Sequence, residues 1–169
     1  MVLNIHPIFV HVPIAFLTVY SLLELIRWKK IISKPFWPQL KCIILGIGFL
    51  GTLAALQTGQ LAAAAYRNTT TRPLVRIHST YAAITTWYFA ILLILYLGHL
   101  TNGHFKNRQL RSLTTSLSRL YRILIESWFS VLIGIAGLAL ITVTGALGGA
   151  IVYGPDTDPI VSFIYHLFF

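Results

Sequence analysis

Acidic residues are scarce in this chain: four in 169, against thirteen Lys and Arg. With so few carboxylates, an intramembrane hydrolase has little to work with, since general acid–base chemistry leans on such groups. The single cysteine, Cys42, excludes an intramolecular disulfide. No nucleophile–base pair, phosphate-binding loop, dinucleotide fingerprint or HExxH zinc motif occurs anywhere in the chain. The start lacks the basic region that precedes the apolar segment of a secretory signal, so no cleavable signal is expected. Charged residues of both signs make up only 10% of the chain, where a soluble domain carries about a quarter.

Apolar side chains take that place. They form 56% of the sequence, and the mean hydropathy is +0.76. The composition is that of an integral membrane protein, and the length suits one domain. The formal charge of +9 therefore does not point to nucleic acid, because Lys and Arg collect in the cytoplasmic loops of membrane proteins.

A helix needs about 20 mostly apolar residues to cross about 30 Å of hydrocarbon. Four segments qualify: residues 8–28, 42–65, 77–97 and 128–152. The loops around Arg27–Lys41 and Lys106–Arg122 carry ten Lys and Arg between them, against three (Arg67, Arg72, Arg76) in the middle loop. The positive-inside rule then predicts an all-α, four-helix transmembrane bundle in a cell's inner (cytoplasmic) membrane with both termini outside. In the third loop, Leu110, Leu113, Leu117, Leu120 and Leu124 alternate with Arg108, Arg111, Arg119 and Arg122. This spacing predicts a basic amphipathic helix on the inner membrane surface. Residues 160–169 are apolar but too short to span. They predict a short interfacial helix capped by Asp158, with Pro159 in its first turn.

With that topology, the polar or glycine-rich ends of all four spans meet on the outer side: His6–Pro13, Gln57–Gln60, Arg76–Thr80 and Gly145–Gly154. Histidine inside a membrane is a functional hypothesis by default. His11 and His78 are expected within one or two turns of the outer interface, on the first and third spans. Neutral imidazoles on facing helices of a bundle can ligate a haem b iron, or a copper or zinc ion. The plain alternative is a hydrogen bond from each imidazole to a backbone carbonyl, or to a hydroxyl such as Thr58 or Ser79. His6 lies five residues before His11, about 140° away around a helix, so the two cannot share a face. With Pro7 opening the helix, His6 is assigned to the rim of the site.

Arg67, Arg72 and Arg76 suit haem propionates, or Asp156 and Asp158, because a guanidinium fork matches a carboxylate; otherwise they merely solubilise the outer loop. The small residues Gly51, Ala55 and Gly59, and the stripe Gly134, Gly137, Gly145 and Gly148, are expected to let helices approach closely. Glu24, the one acid inside a span, is expected to pair with Arg27 one turn on. His99 and His104 are expected as solvated loop residues. Trp28, Trp37, Tyr96 and Trp128 are expected as an aromatic belt.

The opening His6-Pro7-x-x-x-His11-x-Pro13 and the closing Gly148-Gly149-Ala-Ile-Val-Tyr153-Gly154 resemble the predicted membrane proteins catalogued as domain of unknown function 2231. The resemblance extends over nearly the whole chain, and His78 matches a histidine at the head of that family's third span. It implies the four-span topology and a shared outer-face cluster, and it brings little established chemistry. Gln57 and Gln60 stand where the family more usually has an acidic residue near the end of the second span.

Two functions follow as expectations. One is an electron-transfer module binding haem b through His11 and His78, with His6 and the arginines around it, passing electrons between membrane quinol and an outer partner. The other is a non-catalytic structural or assembly subunit of a larger membrane complex. Other membrane subunits, or further copies of the chain, are the expected partners beyond the lipid bilayer. A transporter is less well supported, since the chain shows no internal repeat and no broken helices.

Overall fold

The computed structural model describes residues 6–66 and 69–169. The described residues form helices joined by short turns, with no strand among them. Helix α1 spans His6–Leu25, α2 is a single turn at Lys29–Ile32, α3 spans Phe36–Ala63 and α4 spans Arg72–Leu100. They are followed by α5 (Arg108–Tyr121), a π-helical turn at Arg122–Glu126, α6 (Phe129–Tyr153) and α7 (Pro159–His166). Helices α1, α3, α4 and α6 are each long and apolar enough to cross a membrane.

The four spans are those the sequence predicts, with shifted ends. Helix α3 begins at Phe36, six residues before the expected start at Cys42. Pro35 is its N-cap and Pro38 lies in its first turn, where a missing N–H costs nothing. Lys41 is therefore inside the helix rather than in the loop. Helices α3 and α4, with 28 and 29 residues, are about 42 Å long and exceed the hydrocarbon thickness. Gly154, at φ +94°, ends α6 in a conformation that residues with a Cβ rarely adopt.

Consecutive spans are neighbours. Helix α1 packs on α3 and α6, and α4 packs on α3 and α6, so α1 faces α4 across the diagonal of a four-helix bundle. Tyr20 of α1 reaches over that diagonal to the rings of Phe89 and Tyr96 on α4, with centroids 6.0 Å away in each case. These rings, with Leu17, Leu45, Leu92 and Ile141, form the main core. Small residues bring the helices together as expected: Gly48 and Gly51 lie against Leu17 and Pro13 of α1, and Gly134 and Gly137 against Ser21.

The C-terminal helix forms where Asp158 and Pro159 predict it. The Asp158 carboxylate accepts from the N–H groups of Ile160 and Val161 at 2.9 Å. It packs back on the chain's own bundle, burying Val161 and Ile164 with Leu74, Leu147 and Ala150. Helix α5 crosses the end of α4, with Leu117 set over Gly98.

Candidate functional site

One end of the bundle gathers the start of α1, the end of α3, the start of α4 and the end of α6. His6 and His78 both lie at that end. His6, on α1, is half-buried and bonds through Nδ1 to the Thr58 hydroxyl of α3 at 3.0 Å. The same hydroxyl lies within hydrogen-bond distance of the Ala54 and Ala55 carbonyls, at 3.0 and 3.2 Å. His78, on α4, donates from Nδ1 to the Thr144 carbonyl of α6 at 3.1 Å, since a carbonyl can only accept. The Thr144 carbonyl thereby holds His78 as the Nδ1–H tautomer, while the His6 ring also bonds the backbone of Ala55.

A glycine lies beneath each ring. A Cβ at Gly59 would come 3.1 Å from His6 Cε1, and one at Gly148 would come 3.1 Å from His78 Cε1. The two sets match: an imidazole on one helix, its Nδ1 anchored to the next, and a glycine of that next helix against the ring.

His11 takes another position. It is exposed, and its Nδ1 donates to the Pro7 carbonyl of its own helix at 2.5 Å. The expected opposition of His6 and His11 around the helix holds, but His6 has the inward place and His11 the outward one. The sequence fixes only the angle between them; the packing of Pro13 against Gly51 fixes which one turns inward. Arg72 and Arg76 are exposed at the same end, and among the described residues no carboxylate lies within ion-pair distance of either. Arg67 lies outside the described residues. No group of three or more His, Cys, Asp or Glu arranged to hold a metal occurs among the described residues. An open, mostly apolar groove on α4, lined by residues that include Ser79, Trp87 and Ile91, involves none of the histidines.

The opposite end holds a second polar centre. Glu24 and Lys41 are 1% and 4% exposed, and Lys41 Nζ donates to Glu24 Oε2 at 2.8 Å. The Tyr96 hydroxyl donates to Oε1 at 2.5 Å. The Tyr20 hydroxyl is buried beside this carboxylate. The Lys41 ammonium also lies over the Trp37 and Tyr96 rings, at 5.8 and 5.6 Å.

Glu24 therefore pairs with Lys41 and not with Arg27. The i, i+3 rule requires one continuous helix, and α1 ends at Leu25. Arg27 instead donates to the Glu126 carbonyl (2.7 Å), the Ile125 carbonyl (3.4 Å) and the Ser130 hydroxyl (3.0 Å). It thereby satisfies carbonyls orphaned where the π-helical turn ends. Trp28 and Trp128 are exposed as a belt requires, whereas Trp37 and Tyr96 are buried around Lys41. His99 is half-buried, bonded through Nδ1 to Ser118 (3.1 Å) and stacked on Tyr121 (centroids 4.1 Å). Burial pushes the Tyr121 phenol up. His104 is exposed, as expected.

The family described as predicted membrane protein (DUF2231) matches residues 2–157. The chain belongs to that family. The match covers all four spans and both polar centres, and stops before α7. No curated protein and no solved structure matches the chain. The established description is thus a multi-pass helical membrane protein of this family.

Proposed function

We propose that this protein is a small membrane redox module, with a metal-centred group, foremost haem b, held between His6 and His78. The observation that supports this reading is the matched fixing of the two imidazoles on diagonal helices. A ligating histidine characteristically donates its other ring N–H to a carbonyl or similar acceptor, which orients the ring and raises its basicity. Thr58 and the Thr144 carbonyl serve His6 and His78 in this way. The donor set suits a haem iron, for which axial imidazole is a common ligand. Gly59 and Gly148 let the two rings sit close against α3 and α6. Arg72 and Arg76 are the partners for propionates, and His11, outside the pair, is assigned no ligand role.

Haem, when bound, supplies one-electron transfer, with membrane quinol as donor and a partner subunit as acceptor. The charge distribution supports placing the Glu24–Lys41 end on the cytoplasmic side of an inner membrane and the histidine end outside.

An optical spectrum of the purified protein, oxidised and then reduced, tests this reading. A sharp reduced band typical of six-coordinate b-type haem is expected. His78→Ala and His6→Ala are each expected to abolish it, and His11→Ala to leave it unchanged. A colourless protein, produced with ample haem and metal, overturns the haem assignment. The hydrogen bonds of His6 and His78 also tie α1 to α3 and α4 to α6, which favours a structural or assembly subunit as the second reading. On that reading each alanine variant lowers stability by about 1 kcal/mol with no chromophore to lose.

A further inference from the structure

Helix α5 carries three distinct faces. Thr114, Ser118 and Tyr121 are buried against α4. Leu110, Leu113 and Leu120 are exposed on one flank, at 44%, 56% and 47%. Arg108, Arg111, Arg119 and Arg122 are exposed on the other. At about 100° per residue, the leucines and arginines lie about half a turn apart, with the buried face midway between them. Contact with α4 therefore fixes the rotation of the helix: Leu117 sits over Gly98, Ser118 bonds His99, and Thr115 donates to the Asn102 side chain at 3.2 Å. Asn107 caps the start, accepting from the N–H of Gln109 and Leu110.

The arginine flank is a polar groove. Arg108, Arg111 and Arg119 line it together with the hydroxyl residues Ser112, Thr115 and Ser116. Among the described residues, none of these guanidinium groups has a carboxylate within ion-pair distance. They are held on one side of a fixed helix. The helix crosses the bundle at the end where Trp28 and Trp128 are exposed, a position that tryptophans take at the headgroup level.

We propose that the arginine face of α5 binds the phosphate headgroup of an anionic phospholipid, whose acyl chains pack along the leucine flank. Guanidinium forks recognise phosphate oxygens in pairs, and serine and threonine hydroxyls complete the set. A free phosphate would use only the arginine side. A phospholipid uses both flanks, which is why the lipid is favoured. This site is independent of any group held at the histidine end.

The full-length protein in detergent, supplied with dioleoyl phosphatidylglycerol or dioleoyl phosphatidylcholine, tests it. Native mass spectrometry would count the retained lipid, and thermal unfolding would report stabilisation. Selective retention of phosphatidylglycerol and a higher Tm with that lipid are expected. The R108Q/R111Q/R119Q variant is expected to retain it on the order of 100-fold more weakly, since each of the three cations near an anionic lipid surface contributes about fivefold. Equal retention of the two lipids by the wild type overturns the proposal. So does undiminished retention by the variant. Inorganic phosphate raising Tm as much as phosphatidylglycerol would transfer the site to a free anion and overturn the lipid assignment. Should the variant not fold, the wild type in 1 M salt replaces it: selectivity for phosphatidylglycerol must shrink there, and unchanged selectivity overturns the proposal.

Discussion

Glu24→Ala is expected to destabilise the bundle by about 3–5 kcal/mol, the range for breaking a buried ion pair by removing one partner. The loss arises mainly from what remains. Lys41 is 4% exposed, and its ammonium would keep only the Trp37 and Tyr96 ring faces as partners. Tyr96 would also lose the acceptor of its hydroxyl. Lys41→Met should cost a similar amount by stranding the carboxylate. The double variant Glu24→Ala/Lys41→Met should recover much of the loss, because replacing both members by apolar groups removes the desolvation cost along with the attraction. Chemical or thermal unfolding of all four proteins in detergent closes a double-mutant cycle. Additive losses would show that the two groups do not act as a pair. Tyr96→Phe is the milder companion, expected to cost about 1.5–3 kcal/mol as the loss of a hydrogen bond to a charged group.

The second large effect is expected at Gly134. A Cβ there would stand 2.6 Å from the Ser21 carbonyl oxygen and 2.8 Å from Leu25 Cδ2. A side chain can rotate away, but a helical carbonyl cannot, so α1 and α6 would have to separate. Overpacking of this kind typically costs about 1–3 kcal/mol. Separation would also disturb the bond from the Ser130 hydroxyl to the Glu24 carbonyl, at 3.2 Å. Gly145 provides the control on the same helix, because nothing lies within 4 Å of a Cβ placed there. Gly145→Ala should leave Tm unchanged or raise it slightly, through the better helix propensity of alanine. Equal Tm values for the two alanine variants would refute close packing of α6 on α1 at Gly134. The pair separates two uses of small residues that look identical in a sequence stripe.

Much of the architecture is legible without coordinates, because it rests on rules that act along the chain. Apolar length marks the four spans. Asp158-Pro159 marks the start of α7, since both capping and the missing N–H are local. The leucine and arginine spacing marks α5. The glycines of α3 and α6 announce close packing, although the sequence does not tell which helix each one meets. Gly51 and Gly59 face α1, whereas Gly148 faces His78 of α4.

The polar centres were only half legible, and the reason differs between them. At the histidine end, the residue types and the shared level were visible, and so was the impossibility of His6 and His11 pointing the same way. A helix apolar all around gives no clue to which side turns inward. That rotation is set by Pro13 seating on Gly51. At the other end, the apolar run begins at Cys42, so the sequence places Lys41 in the loop. Its lysine-in-apolar-sequence position was the available signal.

The sequence by itself determined the membrane-spanning helical class, the number and order of the spans, the amphipathic α5, the capped α7 and the family. These follow from hydropathy, capping and spacing, which are properties of neighbouring residues. Only the tertiary structure decided that His6 rather than His11 faces the bundle with His78, and that Lys41 rather than Arg27 meets Glu24. Each of those outcomes depends on how one helix is rotated and shifted against another, and packing between residues distant in the chain sets both.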